Sequence, residues 1–200
     1  MSKINIPYLS RKAIQKKADD LRRAYLSDDY TLPVDVEQVA EDMGLDIWPF
    51  EGLMTKTNID AVVAHALRAI IVDAAEYNDE ARWGRLRFTI AHEIGHFVLH
   101  SHLFEKLKFN SVEEWIAFLQ QLENYDRVEI QAHEFGGRLI VPVERLRLSI
   151  QQHKAKLTDL KGDELEQRLA VRVSRDFRVS SDLILVRFNM EELKSLIHGA

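Results

Sequence analysis

The chain has no cysteine, which excludes disulfides and thiolate-held metals. Any transition metal would have to be held by histidine and carboxylate. Only four prolines interrupt 200 residues, so long stretches are free to be helical. No run approaches the roughly 18 consecutive apolar residues of a membrane span. The opening MSKINIPYLSRKAIQKK lacks the apolar centre of a signal peptide. With the missing cysteine, this sets the expectation of a cytoplasmic protein with no membrane partner. Positive charge is in deficit, since 27 Lys and Arg face 32 Asp and Glu for a net −5. The whole chain is therefore not a polyanion binder. What is present is ordinary globular material, 46% apolar and 30% charged. The length suits one domain over residues 1–200.

Most of the patterning is helical. Ser10 reads as an N-cap before the stripe Ile14, Ala18, Leu21, Tyr25. A second helix starts near Pro33–Asp35, with Val36, Val39, Ala40 and Met43 as its apolar face and Gly44 as its C-terminal stop. Three strand-like runs follow, Leu45–Phe50, Asp60–Ala66 and Ala69–Val72. They predict a small, partly antiparallel sheet of three or four strands. Helical spacing resumes from about Asn78 to His100. Ser111 with Glu114 reads as a capping box, and a further helix covers Asp126 to Ile140 before Pro142. The rest is helical, including a helix-turn-helix-like hairpin over 167–189 that Ser180 or Ser181 can cap. The expected fold class is α+β, mostly helical with a small sheet.

Residues 91–96 read AHEIGH. His92 and His96, four apart on a helix, leave the same face one turn apart. Two imidazole nitrogens can then meet one zinc ion at about 2.0–2.1 Å. Glu93 flanks that face, where a carboxylate can take a proton from water attacking a carbonyl carbon. An H-E-x-x-H can arise by chance, and histidine pairs are common on helix surfaces. This one lies in the mostly apolar RFTIAHEIGHFVLH, where two histidines and a glutamate are costly without a partner. Gly95 costs about 1 kcal/mol against alanine in mid-helix, which is explained if a second helix comes close.

A catalytic zinc usually has three protein ligands. His100 lies eight residues after His92, about 12 Å along a helix, too far to share one ion. The better donor lies in EIQAHEFGGRLIVP, residues 129–142. Val128, Ala132, Phe135 and Leu139 form its apolar stripe, beside a second line of Glu129, His133, Gly136 and Ile140. Gly136 and Gly137 would let this helix approach the one bearing Gly95. Glu129 could bind the metal, with His133 one turn on supporting a ligand or the transition state. A solvated Glu–His pair is the plain alternative, and His133 as third ligand is the rival. Zinc suits the set, and Mn2+ or Fe2+ would fit similar ligands.

Four blocks carry a resemblance: PVDVEQVAEDMGLDI, RLRFTIAHEIGHFVLH, EIQAHEFGGRLIVP and RVSRDFRVSSDLILVRF. Together and in this order, over about Ile14 to Arg187, the sequence resembles the ImmA/IrrE family of metallo-endopeptidases. The resemblance implies a zincin-like domain of gluzincin type, with His92, His96 and Glu129 as zinc ligands and Glu93 catalytic. It also implies cleavage of a DNA-binding repressor or antitoxin-like regulator in bacteria, phage or other mobile elements. The family commonly has Glu-Ala-Asn where this chain has Gln131, Ala132 and His133, and Ala-Ala at Gly136 and Gly137. Gln131 removes a rival carboxylate and favours Glu129. His133 is left open, as a group that orients a ligand, stabilises an oxyanion or binds metal. Many members carry an N-terminal DNA-binding module, for which a first helix at Ser10 leaves no room, so the regulator is expected as a separate protein. Its cleaved segment is expected to add along a strand edge such as Asp60–Ala66.

Two other functions are consistent with parts of the sequence. A metal-bearing sensor or pseudo-enzyme would keep the fold without turnover, against which stands the intact Glu93. A DNA-binding regulator would use Arg168, Arg172, Arg175, Arg178 and Arg187 of the hairpin. Its second helix, however, carries Leu, Ile, Leu and Val, which read as core, so a packed hairpin is preferred over a nucleic-acid partner.

Overall fold

The computed structural model describes residues 4–27, 30–189 and 191–199. Helix α1 (Arg11–Tyr25) begins where the Ser10 hydroxyl accepts the Ala13 amide, and it buries Ile14, Ala18 and Leu21. Tyr25 leaves the expected stripe and is exposed, and Arg22 is buried instead, donating to the Arg138 carbonyl. Helix α2 (Val36–Asp42) is capped by Asp35 and buries Val36, Val39 and Ala40. Past its end Gly44 adopts φ +71°, the left-handed conformation that glycine takes without a Cβ penalty. The Gly44 and Leu45 amides bond back to the Glu41 and Ala40 carbonyls, a Schellman stop that turns the chain into β1 (Asp46–Phe50).

A short helix, α3 (Leu53–Thr57), leads to β2 (Ala61–Ala64), and a 3-10 turn at His65–Leu67 leads to β3 (Ala69–Asp73). The sheet order is β1-β3-β2, with β1 parallel and β2 antiparallel to β3. All three expected strands are present, though His65 and Ala66 of the second run lie in the turn. The sheet divides two cores by the period of two. Ala61, Val63, Ile70 and Val72 join the larger core, while Val62 and Ile71 join a smaller one with Trp115, Ile116 and Leu119.

After α4 (Ala74–Tyr77) comes the long α5 (Trp83–Phe104), which runs four residues beyond the expected end. Helices α6 (Val112–Gln120), α7 (Tyr125–Ile140), α8 (Val143–Lys154), α9 (Gly162–Phe177), α10 (Ser181–Phe188) and α11 (Glu191–His198) complete the chain. Ser111 caps α6 through the Glu114 amide, but Glu114 reaches the Asn110 amide rather than that of Ser111, so the expected box is only half formed. In the α9–α10 hairpin Ser180 is the N-cap, and Ile184, Arg187 and Phe188 are buried. Burial withdraws Arg187 from any nucleic-acid surface. Among the described residues no helix is long and apolar enough to cross a membrane.

Arg87 ties the scaffold together. Its guanidinium donates to the Phe177 carbonyl at 2.8 Å, Arg178 at 3.1 Å and Val34 at 2.7 Å. One side chain of α5 thus satisfies the end of α9 and the loop before α2. Burial lowers its pKa from the ordinary arginine value.

Candidate metal centre

Helices α5 and α7 meet glycine to backbone. A Cβ on Gly95 would stand 2.9 Å from the Ala132 carbonyl oxygen and 3.2 Å from its Cα, and one on Gly136 would stand 3.0 Å from the His92 nitrogen. Each helix therefore presses its backbone into the gap left by the other's missing side chain. Gly137 has no such role, since its Cβ would touch only Leu183 at an ordinary 3.5 Å.

That approach brings three of the expected residues together. His92 and His96 place their Nε2 atoms 2.9 Å apart. Glu129 sets Oε2 3.2 Å from His92 Nε2 and Oε1 3.2 Å from His96 Nε2. Tetrahedral ligands at about 2.0–2.1 Å from one ion lie about 3.3 Å from each other, so this donor set fits a zinc-sized cation. The electrostatics point the same way. Burial opposes protonation of His92, yet Glu129 and Glu93 outweigh it and raise the pKa. Burial would raise the Glu129 pKa, but the two histidines hold this carboxyl far below its ordinary value. Both shifts favour positive charge at the centre of the cluster.

Glu93 is buried beside the cluster, and its Oε2 accepts the Val63 amide of β2 at 2.7 Å. His133 lies outside the three-residue cluster. It is exposed, sits edge-on to Phe88 with ring centroids 4.9 Å apart, and has its pKa lowered by partial burial and by His92. His100 is fully buried and bonds Gln131 at 3.0 Å, while Gln131 reaches the Pro7 carbonyl. Both belong to the support of α5 on α7 and not to the cluster.

Three participants escaped the sequence reading. Tyr125 hydrogen-bonds Glu129 from one turn earlier, and burial and the Glu129 charge raise its pKa, keeping it a donor. The i, i+4 spacing was the available signal. The Val63 amide and the Trp115 indole come from distant chain, and no local pattern marks them. Trp115 Nε1 donates to the Val63 carbonyl at 3.1 Å. Both outward backbone groups of Val63 are thus taken, which shortens the strand edge expected to receive a substrate. The cluster opens into a cleft of about 640 Å³ between β2, α5 and α7, lined also by Phe88, Trp115 and Tyr125.

A buried glutamate next to two histidines and a carboxylate, at the floor of a cleft beside a strand edge, is an arrangement suited to metal-assisted hydrolysis. The IrrE N-terminal-like domain of the peptidase M78 family matches residues 54–189, which include every residue of this site. The chain belongs to this peptidase family. Membership carries a metallopeptidase type of function and a protein as substrate class. No curated relative matches the chain.

Proposed function

We propose that the chain is a zinc-dependent endopeptidase acting on a DNA-binding repressor or antitoxin-like regulator in the cytoplasm. The observation that carries the reading is the convergence of His92, His96 and Glu129 beside a buried Glu93. His92, His96 and Glu129 hold the metal. A zinc ion there supplies the Lewis acidity that polarises the scissile carbonyl and acidifies water.

The chain's own groups do the rest. The Val63 amide fixes one oxygen of Glu93, leaving the other to take the proton of the attacking water and pass it to the leaving amine. Tyr125 restrains the Glu129 carboxylate from the outside. His133, in the cleft wall and held neutral at physiological pH, is placed to donate a hydrogen bond to the oxyanion. The cleft lined by Phe88, Trp115 and Tyr125 holds these groups along one wall, with Glu93 its buried member.

The test is a time course with candidate repressor- and antitoxin-like proteins as substrates. Cleavage should occur with zinc, stop with chelator and return on zinc addition. The variant Glu93→Gln, nearly isosteric, should keep metal and fold but lose about 10² to 10⁴ in rate. Equal rates at equal metal occupancy would remove Glu93 as the base.

A further inference from the structure

The cleft is walled by Trp115 at its Val63 end, beyond which lies a separate pocket of about 540 Å³, and it continues past Arg85, Phe88 and His133 at the other. At the Val63 end the Trp115 indole occupies the outward carbonyl of β2 and stacks among Phe104, Phe109 and Phe118. A substrate strand cannot pair through that carbonyl. At the Ala61 end the walls are Arg85, Phe88 and His133, and the same three residues form one side of a second groove of about 790 Å³. The far side of that groove is the α9–α10 turn and the exposed side of α10.

Its floor is apolar, formed by Val179, Leu183 and Val186, with Val186 57% exposed. Its rim carries three guanidiniums against one carboxylate. Two of them are engaged, Arg82 with Glu76 and Asp79 and Arg85 with Asp60. Arg178 is exposed and makes no ion pair among the described residues. The carboxylate, Asp182, sits in the first turn of α10, where the helix N-terminus offsets its charge. Arg178, at the C-cap of α9, is thus the rim cation with no acid paired to it among the described residues, and the hairpin that resembled a DNA-binding motif forms the far wall of the groove.

We propose that this groove binds the substrate polypeptide beyond the scissile bond, on the Ala61 side, and selects a segment bearing apolar side chains and a carboxylate. The proposal rests on the peptidase reading for its occupant. Continuity with the cleft gives the path, and the free guanidinium gives the charge. A preformed apolar trough next to the metal site can hold a segment by side-chain burial and an exposed ion pair, beyond the strand edge that Trp115 shortens.

The test places a photoreactive benzoyl-phenylalanine at Val186 in the zinc-loaded full chain. It is irradiated with an equimolar mixture of two synthetic peptide pools of the same apolar composition, one bearing Asp and Glu and the other Lys and Arg. Mass spectrometry reads the cross-linked peptides. The acidic pool should be enriched about two- to fivefold, the range of an exposed ion pair. Arg178→Glu, an exposed change that leaves the Arg178 carbonyl in place for Arg87, should abolish or invert the enrichment. Absence of cross-links, a charge-blind pattern, or enrichment unchanged in Arg178→Glu would overturn the proposal. Zinc-dependent cleavage of the uncross-linked peptides is read from the same samples. Enriched cross-links without cleavage would leave the groove standing and remove the peptidase reading.

Discussion

Replacing Gly95 or Gly136 by alanine should weaken metal binding measurably at a modest cost to the fold. The obstacles to each new Cβ are backbone atoms: the Ala132 oxygen at 2.9 Å for Gly95, and the His92 nitrogen and Ala91 carbonyl carbon at 3.0 and 3.1 Å for Gly136. Backbone in a helix cannot rotate aside, and ordinary contact needs about 3.5 Å or more. The two helices must therefore separate by about 0.5 Å. For the fold, alanine returns about 1 kcal/mol of helix propensity, while overpacking costs about 1–3 kcal/mol. The apoprotein should lose about 0–2 kcal/mol. For the metal, the proposed site takes two ligands from α5 and the third from α7, and such a site tolerates only about 0.2 Å of misplacement. Affinity should fall about 10- to 100-fold, as when a ligand's support is displaced. Gly137→Ala is the control, because its Cβ meets only Leu183 at 3.5 Å. It should leave affinity unchanged and add up to about 1 kcal/mol. Zinc competition titrations and thermal melts of the apoproteins read both quantities. Wild-type affinity together with a raised apo Tm in Gly95→Ala and Gly136→Ala would show that the close approach of α5 and α7 does not hold the site.

Glu129→Ala should lose metal by far more than His133→Ala in the same titration, because Glu129 meets both histidines and His133 stands outside the cluster; the reverse order would exchange their roles. Arg87→Met should destabilise by about 3 kcal/mol or more, since it orphans three carbonyls that Arg87 now satisfies, and a loss below about 1 kcal/mol in urea melts would deny the clamp. His65 is buried, and its pKa is lowered to about 3, first by burial and then by His96 and His100. The unfolded chain binds its proton near pH 6.5 while the native chain does not, so stability falls as pH drops from about 6.5 towards 3. The slope from this residue is at most about 1.4 kcal/mol per pH unit. His65→Phe should flatten that slope in apoprotein melts, and an unchanged slope would exclude His65 as a source.

What the sequence revealed was mostly what repeats locally. The four-residue spacing of His92 and His96, the buried line Val128, Ala132, Phe135, Leu139, the cap at Ser10 and the cap at Ser180, one of two serines the sequence offers, all follow from helical period and end chemistry, and all are present. Two short helices were not legible, because α3 and α4 complete too little of a period to show one. Gly95 and Gly136 could be read as close-packing positions, but which partner each meets is a tertiary fact, and Gly137 was grouped with them only by adjacency. The groups that finish the site lie further off. The Val63 amide is 30 residues from Glu93, and the Trp115 indole is 52 from Val63. Such pairs depend on how β2, α5 and α6 stack, which no stretch of chain encodes by itself. The same stacking closes part of the strand edge that looked open in the sequence.

The decisive measurement is an anomalous difference map at the zinc edge from crystals of the zinc-loaded chain, which locates the ion proposed among His92, His96 and Glu129. One strong peak per chain is expected, about 2.0–2.2 Å from His92 Nε2, His96 Nε2 and a Glu129 carboxylate oxygen, with Glu93 beside it and uncoordinated. A peak held by His133 in place of Glu129, or no peak between α5 and α7 at full zinc loading, would contradict it.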